Sequence, residues 1–170
     1  MENSNPHYQQ PLSRREREEF GPGRKGLIIC SQCGVVYYKK SWHRNADHFK
    51  PLIEKEKDYS VKFDLCPACK MIKHNQYEGR IVISKAPAEH VFDLENLINN
   101  FCARARERDP LDRLIDIKKE NGQWQITLTE NQLANKLANK IVEVFKHSAS
   151  ISKKYAGAPS DVVEIEIAFG

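Results

Sequence analysis

From residue 79 to the C-terminus the apolar positions alternate between two periods. Arg80-Ile81-Val82-Ile83-Ser84 is a short β-branched run, followed by Pro87, which is the pattern of a strand. Phe92, Leu94, Leu97, Ile98, Phe101, Cys102 and Ala105 then recur at three- and four-residue steps. That spacing predicts a helix over about 89–107, ended by Asp109-Pro110. Leu114-Ile115-Asp116-Ile117-Lys118 reads as a second strand, and Asn121-Gly122 has the chemistry of a two-residue type I′ turn. Trp124, Ile126 and Leu128 alternate with Gln125 and Thr127 as a third, half-buried strand. Thr129-Glu130-Asn131-Gln132 has the form of a capping box with Thr129 as N-cap, and Leu133, Leu137, Ile141, Val144 and Phe145 stripe the helix behind it. Residues 148–161, rich in Ser, Lys, Gly and Pro, read as a loop before a last strand with Val163, Ile165, Ile167 and Phe169 on one face. The order βαββαβ predicts a ferredoxin-like α+β domain over 79–170: a four-stranded antiparallel sheet with both helices on one face.

The pattern over residues 26–78 is sparser. Leu27-Ile28-Ile29 leads into Cys30-Ser31-Gln32-Cys33, and Val35-Val36-Tyr37-Tyr38 leads out, which predicts a β-hairpin around two cysteines. Phe63-Asp64-Leu65 leads into Cys66-Pro67-Ala68-Cys69, and residues 45–60 between the pairs read as loop or short helix. A stretch this poor in large apolar residues needs help to fold. Residues 1–25 carry Pro6, Pro11, Gly21, Pro22 and Gly23 among charges, bury too little to fold alone, and read as a disordered leader.

The cysteines supply that help. Two C-x-x-C pairs separated by 32 residues fit one tetrahedral four-thiolate zinc site, with Cys30, Cys33, Cys66 and Cys69 as ligands and the 26–78 module as a zinc ribbon. An iron–sulfur cluster accepts the same four ligands. Two disulfides would need an oxidising compartment, and the chain opens on no apolar signal segment. A redox C-x-x-C would begin a helix, whereas each pair here follows a strand-like run. Cys102 falls on the apolar face of a helix and reads as a buried small hydrophobe. A single structural Zn2+, in a soluble cytoplasmic protein, is the expectation.

Charge narrows the partners. Residues 1–25 carry five Lys/Arg against four Glu, residues 26–78 nine against six acids, and residues 79–170 thirteen of each, for a formal net charge of +4. Four thiolates on a dication subtract two from that. Such a chain is no general polycation, but a local basic patch remains open to it. There is no Gly-rich phosphate loop, H-E-x-x-H or G-x-S-x-G, and a closed thiolate shell leaves no open catalytic position. The expectation is therefore a non-enzyme.

Tyr38, Lys39, Lys40, Trp42 and Arg44 are the leading nucleic-acid candidates, since rings stack on unpaired bases while cations hold phosphates. Against this, a small module could need Tyr37 and Trp42 for its core. Lys146, Ser150, Lys153 and Lys154 form a second candidate, a cation- and hydroxyl-rich run suited to a phosphate backbone, or simply an exposed loop. Arg104, Arg106 and Arg108 read as the solvated end of a helix.

Cys30-Ser31-Gln32-Cys33-Gly34 with the Tyr-Lys-Trp stretch after it, Cys66-Pro67-Ala68-Cys69, and Tyr77-Glu78-Gly79-Arg80-Ile81-Val82-Ile83 resemble the N-terminal region of the large-ribosomal-subunit export adaptors of eukaryotes and archaea, and their short bacterial relatives with two C-x-x-C pairs. The stretches Ile126-Thr127-Leu128-Thr129 and Ser150-Ile151-Ser152-Lys153-Lys154 extend the resemblance. It implies a zinc-dependent protein that binds ribosomal RNA or the large subunit. The eukaryotic members carry more C-x-x-C pairs than the two present here, so nuclear export is not implied. A protein-interaction adaptor without direct nucleic-acid binding is the alternative.

Overall fold

The change in apolar pattern near residue 78 coincides with a change of sheet. The computed structural model describes residues 26–55, 60–120, 122–146, 149–155 and 162–170. The expected leader, residues 56–59 of the stretch expected as loop or short helix, Asn121 of the Asn-Gly turn, and residues 148 and 156–161 of the expected loop lie outside the described residues.

The first sheet contains β1 (Gly26–Cys30), β2 (Val36–Tyr38), β3 (Ser41–His43) and β4 (Ser60–Asp64), in the order β3-β2-β1-β4. β1 and β2 form the expected hairpin, with Ile28 opposite Tyr37 and Ile29 opposite Val36. Between β3 and β4 come a 3-10 turn (Ala46–Phe49) and α1 (Lys50–Lys55). The Asn45 side chain accepts from the Asp47 N–H at 3.0 Å and starts that turn. Buried Leu27, Val36 and Phe49 form the small core between these pieces. The module departs from a simple ribbon in one respect: β4 runs parallel to β1, in register from Gly26–Ser60 to Cys30–Asp64. Parallel pairing needs a crossover, and the 3-10 turn and α1 lie on the path between the paired strands.

The second sheet contains β5 (Gly79–Ser84), β6 (Leu114–Glu120), β7 (Gln123–Leu128), β8 (Ala149–Tyr155) and β9 (Val163–Phe169), in the order β6-β7-β5-β9-β8. α3 (Val91–Arg108) joins β5 to β6, and α4 (Asn131–Val144) joins β7 to β8. α2 (Pro67–Lys73) belongs to the first module. Alternation places Ile81, Ile83, Trp124, Ile126, Leu128, Val163, Ile165, Ile167 and Phe169 in one core with Leu94, Ile98 and Cys102 of α3 and Leu133, Leu137 and Ile141 of α4. Cys102 is packed there, and burial pushes its thiol up to about 12. Arg104, Arg106 and Arg108 are exposed at the end of α3. No helix among the described residues is long and apolar enough to cross a membrane.

Two expectations need correction. The sheet is not the four-stranded antiparallel ferredoxin-like one, because residues 149–155, expected as loop, form a fifth strand. β8 pairs antiparallel with β9, and β9 lies between β8 and β5, parallel to β5. Nor does Thr129 cap α4. Glu130 holds the N-cap position without a side-chain capping bond, and the Thr129 hydroxyl donates instead to the Leu111 carbonyl at 2.6 Å.

Glu130 bears a cost for its position. Burial pushes its carboxyl up to about 7, aided by Glu78, Asp112 and Asp109. An acid held protonated by the fold makes stability decline as pH rises from the unfolded value near 4.5 through about 7. Glu130→Gln should therefore be more stable than the parent at pH 8, by about 1 kcal/mol after allowance for partial solvation. The difference should close at pH 4, and urea midpoints at the two pH values measure it. An equal gap at both would remove the linkage.

Candidate metal centre and basic surfaces

Backbone geometry brings the two cysteine pairs together. Cys30 ends β1, and its N–H and carbonyl bond the Val35 carbonyl at 2.8 Å and the Gly34 N–H at 2.9 Å. This folds Cys33 back over Cys30. Gly34 takes φ +74°, with nothing within 4 Å of the place a Cβ would occupy, so the position needs glycine for conformation and not for space. The parallel register of β4 against β1 then delivers Cys66 beside Cys30, and the Cys66 N–H donates to the Cys30 sulfur at 3.2 Å. Cys66 is itself the N-cap of α2, its sulfur accepting the Cys69 N–H at 3.4 Å. Pro67 sits at the start of that helix, where it lacks no needed donor. Asp64 anchors the turn, accepting from the Leu65 N–H at 2.7 Å and from Lys70 Nζ at 2.8 Å.

The second pair thus does begin a helix, contrary to the sequence expectation. Its sulfurs, however, face the first pair and not solvent. All four Sγ atoms lie within 4.8 Å of one another, and those of Cys33 and Cys66 are 3.7 Å apart. Thiolates on one tetrahedral ion at about 2.3 Å would be about 3.8 Å apart. Cys30, Cys66 and Cys69 are buried and Cys33 half-buried. Burial opposes ionisation of Cys30, but hydrogen bonds from the N–H groups of Cys66, Cys33 and Gln32 and from the Cys33 side chain outweigh it and lower the thiol to about 6. Burial pushes Cys69 up to about 11 and Cys66 up further. A divalent cation is the charge that lets all four sulfurs ionise together. The donor set, spacing and burial fit a structural metal site.

One participant was not foreseen. Arg113 lies between α3 and β6, in the second module, yet its Nη2 donates to the Cys33 sulfur at 3.1 Å and its Nε to the Pro110 carbonyl at 2.9 Å. Nothing in cysteine spacing points to a residue 44 positions beyond Cys69. The available signal was an arginine between Leu111 and Leu114 in a tight turn.

The basic candidates separate onto different sheets. Lys39 and Lys40 form the β2–β3 turn, both exposed and both left-handed, at φ +46° and +66°. Arg44 is exposed just after β3. The rings are less available. Tyr38 packs edge-on against Phe49 with centroids 5.3 Å apart. Trp42 lies against the cysteine cluster and 5.3 Å from Tyr37. In the second module Lys146 is exposed, Ser150 bonds the Ala168 carbonyl at 3.4 Å, and Lys153 reaches Asn139 at 3.2 Å. Lys154 lies in β8 opposite Glu164. The open face of this sheet is internally paired: Arg80 holds Glu164 at 3.2 Å, and the Gln125 amide oxygen, turned toward Arg80, accepts from its Nε at 2.9 Å. A groove of about 270 Å³ beside that face is lined by residues including Tyr77, Lys118, Gln125 and Thr127.

Comparison of the chain with protein-family models, curated proteins and solved structures gave no match.

Proposed function

We propose that the chain is a zinc-stabilised, non-catalytic RNA-binding protein whose target is structured RNA of the large ribosomal subunit. The observation that carries this reading is the β2–β3 turn. A non-glycine residue in the left-handed region costs about 1–2 kcal/mol, and here two adjacent lysines adopt it at an exposed tip. A two-residue hairpin turn of type I′ requires positive φ at both central residues, where asparagine or glycine is usual, so lysine at both places calls for a reason beyond the turn itself. Two exposed cations at the tip of the β2–β3 hairpin, Lys39 with its Nζ 5.3 Å from the Tyr38 ring centroid, suit consecutive phosphates with Arg44 nearby in sequence. Tyr38 and Trp42 serve as supports beneath the turn, and Lys146 after α4, with Ser150 and Lys153 of β8, offers phosphate contacts from the second module. The resemblance to ribosomal export adaptors supports the choice of the large subunit as target.

Zinc-loaded protein should bind ribosomal RNA with a steep salt dependence. Lys39→Ala with Lys40→Ala should weaken binding about 10-fold or more and flatten the log–log salt slope by about two. Lys40→Gly should weaken binding while raising stability by about 1 kcal/mol, since glycine relieves the turn. Absence of salt-dependent binding at low ionic strength would sink the reading.

Phe63 favours a second reading. It is 71% exposed on β4, an edge strand, where a partner protein could dock. If nuclease leaves ribosome co-sedimentation intact and Phe63→Ser abolishes it, the adaptor reading replaces the first.

A further inference from the structure

Each of the four sulfurs faces an N–H donor, and the donors come from two sources. Backbone groups of the first module serve Cys30, from Cys66 at 3.2 Å, and Cys66, from Cys69 at 3.4 Å. Arg113 serves the other two, with Nη2 3.1 Å from Cys33 and Nη1 3.8 Å from Cys69. Arg113 is only 7% exposed, so its charge has been taken out of water and set against these sulfurs. Its own position is fixed from the second module. Its N–H donates to the Thr129 hydroxyl at 2.8 Å, and its carbonyl accepts the Thr129 N–H at 3.0 Å. Thr129, 1% exposed, lies between β7 and α4 and touches no sulfur. Leu111 of the same turn packs on the cysteine cluster.

We propose that Arg113 is an outer-sphere positioning residue of the metal centre, and that it links metal occupancy to docking of the second module on the first. Four thiolates around a dication leave a net charge of −2 in a buried place, and such a charge needs a cation close by. Arg113 supplies it, with a planar fork that spans one sulfur from each C-x-x-C pair. The coupling is reciprocal. If the loaded site holds Arg113 more tightly than the empty one, docking must tighten the metal by the same factor. This rests on the metal reading alone and holds whether or not the chain binds RNA.

The test uses the full chain, with zinc affinity measured by competition with a chromophoric chelator and cobalt(II) as an optical probe. Arg113→Met should weaken zinc about 10- to 100-fold. It should also move the sulfur-to-cobalt charge-transfer band to lower energy, because thiolates relieved of hydrogen bonds give up electrons more easily. The tetrahedral cobalt bands should persist. Arg113→Lys, which keeps the charge and loses the fork, should fall between. Thr129→Val should weaken zinc as well, though it touches no ligand. In the unaltered chain, chelation should speed amide exchange at Arg113 and Thr129, while β5 and β9 stay protected. The same β5 and β9 protection identifies folded variants, and if Arg113→Met fails to fold, Arg113→Lys and Thr129→Val decide. Unchanged zinc affinity and cobalt spectra in folded variants would overturn the proposal, as would unchanged exchange at Arg113 after chelation. Failure of the unaltered chain to bind zinc or cobalt at all would overturn the metal reading instead.

Discussion

Removing the metal, or replacing Cys66 by Ser, will unfold residues 26–78 and leave the core of the second sheet folded. The first module has little else to hold it. Its apolar core is a cluster of Leu27, Val36 and Phe49, and the next cluster is made of the cysteines themselves with Val35 and Ala68. Binding of structural zinc to small modules contributes about 10–16 kcal/mol at neutral pH, as much as the whole stability of a typical domain. Cys66 is the harshest position to alter. It is fully buried, its sulfur is 3.7 Å from that of Cys33, its N–H holds the Cys30 sulfur, and it starts α2. Serine there removes a thiolate and leaves the other three around an incomplete shell. Amide exchange resolves the outcome: β1 and β2 should lose protection on chelation and regain it on adding zinc, while β5, β7 and β9 keep theirs. Persistent protection of β1 and β2 in chelated protein would show that the module folds without metal. Visible absorption by the native protein, with iron recovered from it, would replace zinc by an iron–sulfur cluster.

What could be seen in the sequence follows from how strongly burial marks each element. β5, β7 and β9 are covered on one face and open on the other, so their alternation is clean. β8 is an edge strand. On its core side Ala149 and Ile151 are only partly buried and Lys153 is charged, so this stretch lacks the clean apolar alternation of a covered strand and reads as loop. Missing it also hid the parallel β5–β9 pair, because the hairpin from β8 reverses the last strand. The clustering of Cys30, Cys33, Cys66 and Cys69 was legible because each two-residue gap keeps a pair's sulfurs close along the chain whatever the rest of the fold does. Arg113 was not, because its place depends on how two modules dock. Thr129 shows the same limit in small: its hydroxyl faced a choice between the helix start and the turn carrying Arg113, and tertiary structure decided it.

Gly79 carries the largest expected effect outside the metal centre. It opens β5, the central strand, between Leu128 of β7 and Val163 of β9. A Cβ built there would lie 2.4 Å from the Ala134 Cβ and 3.0 Å from the Glu130 carbonyl oxygen. The first contact is with a methyl on a helix backbone that cannot swing aside, so α4 itself must lift off the sheet. Gly79→Ala should destabilise the chain by about 3 kcal/mol, the upper end for overpacking, and lower the melting temperature by about 10 °C. A second substitution separates this clash from a general intolerance of the strand. Ala134→Gly alone costs about 1 kcal/mol as a helix glycine. Combined with Gly79→Ala it removes the 2.4 Å contact, so the double variant should be more stable than Gly79→Ala by about 1 kcal/mol. Rescue stays partial because the approach to the Glu130 carbonyl remains. Strict additivity of the two losses in urea denaturation would show that α4 does not press on Gly79, and that the close approach of helix and strand is not what requires glycine at this position.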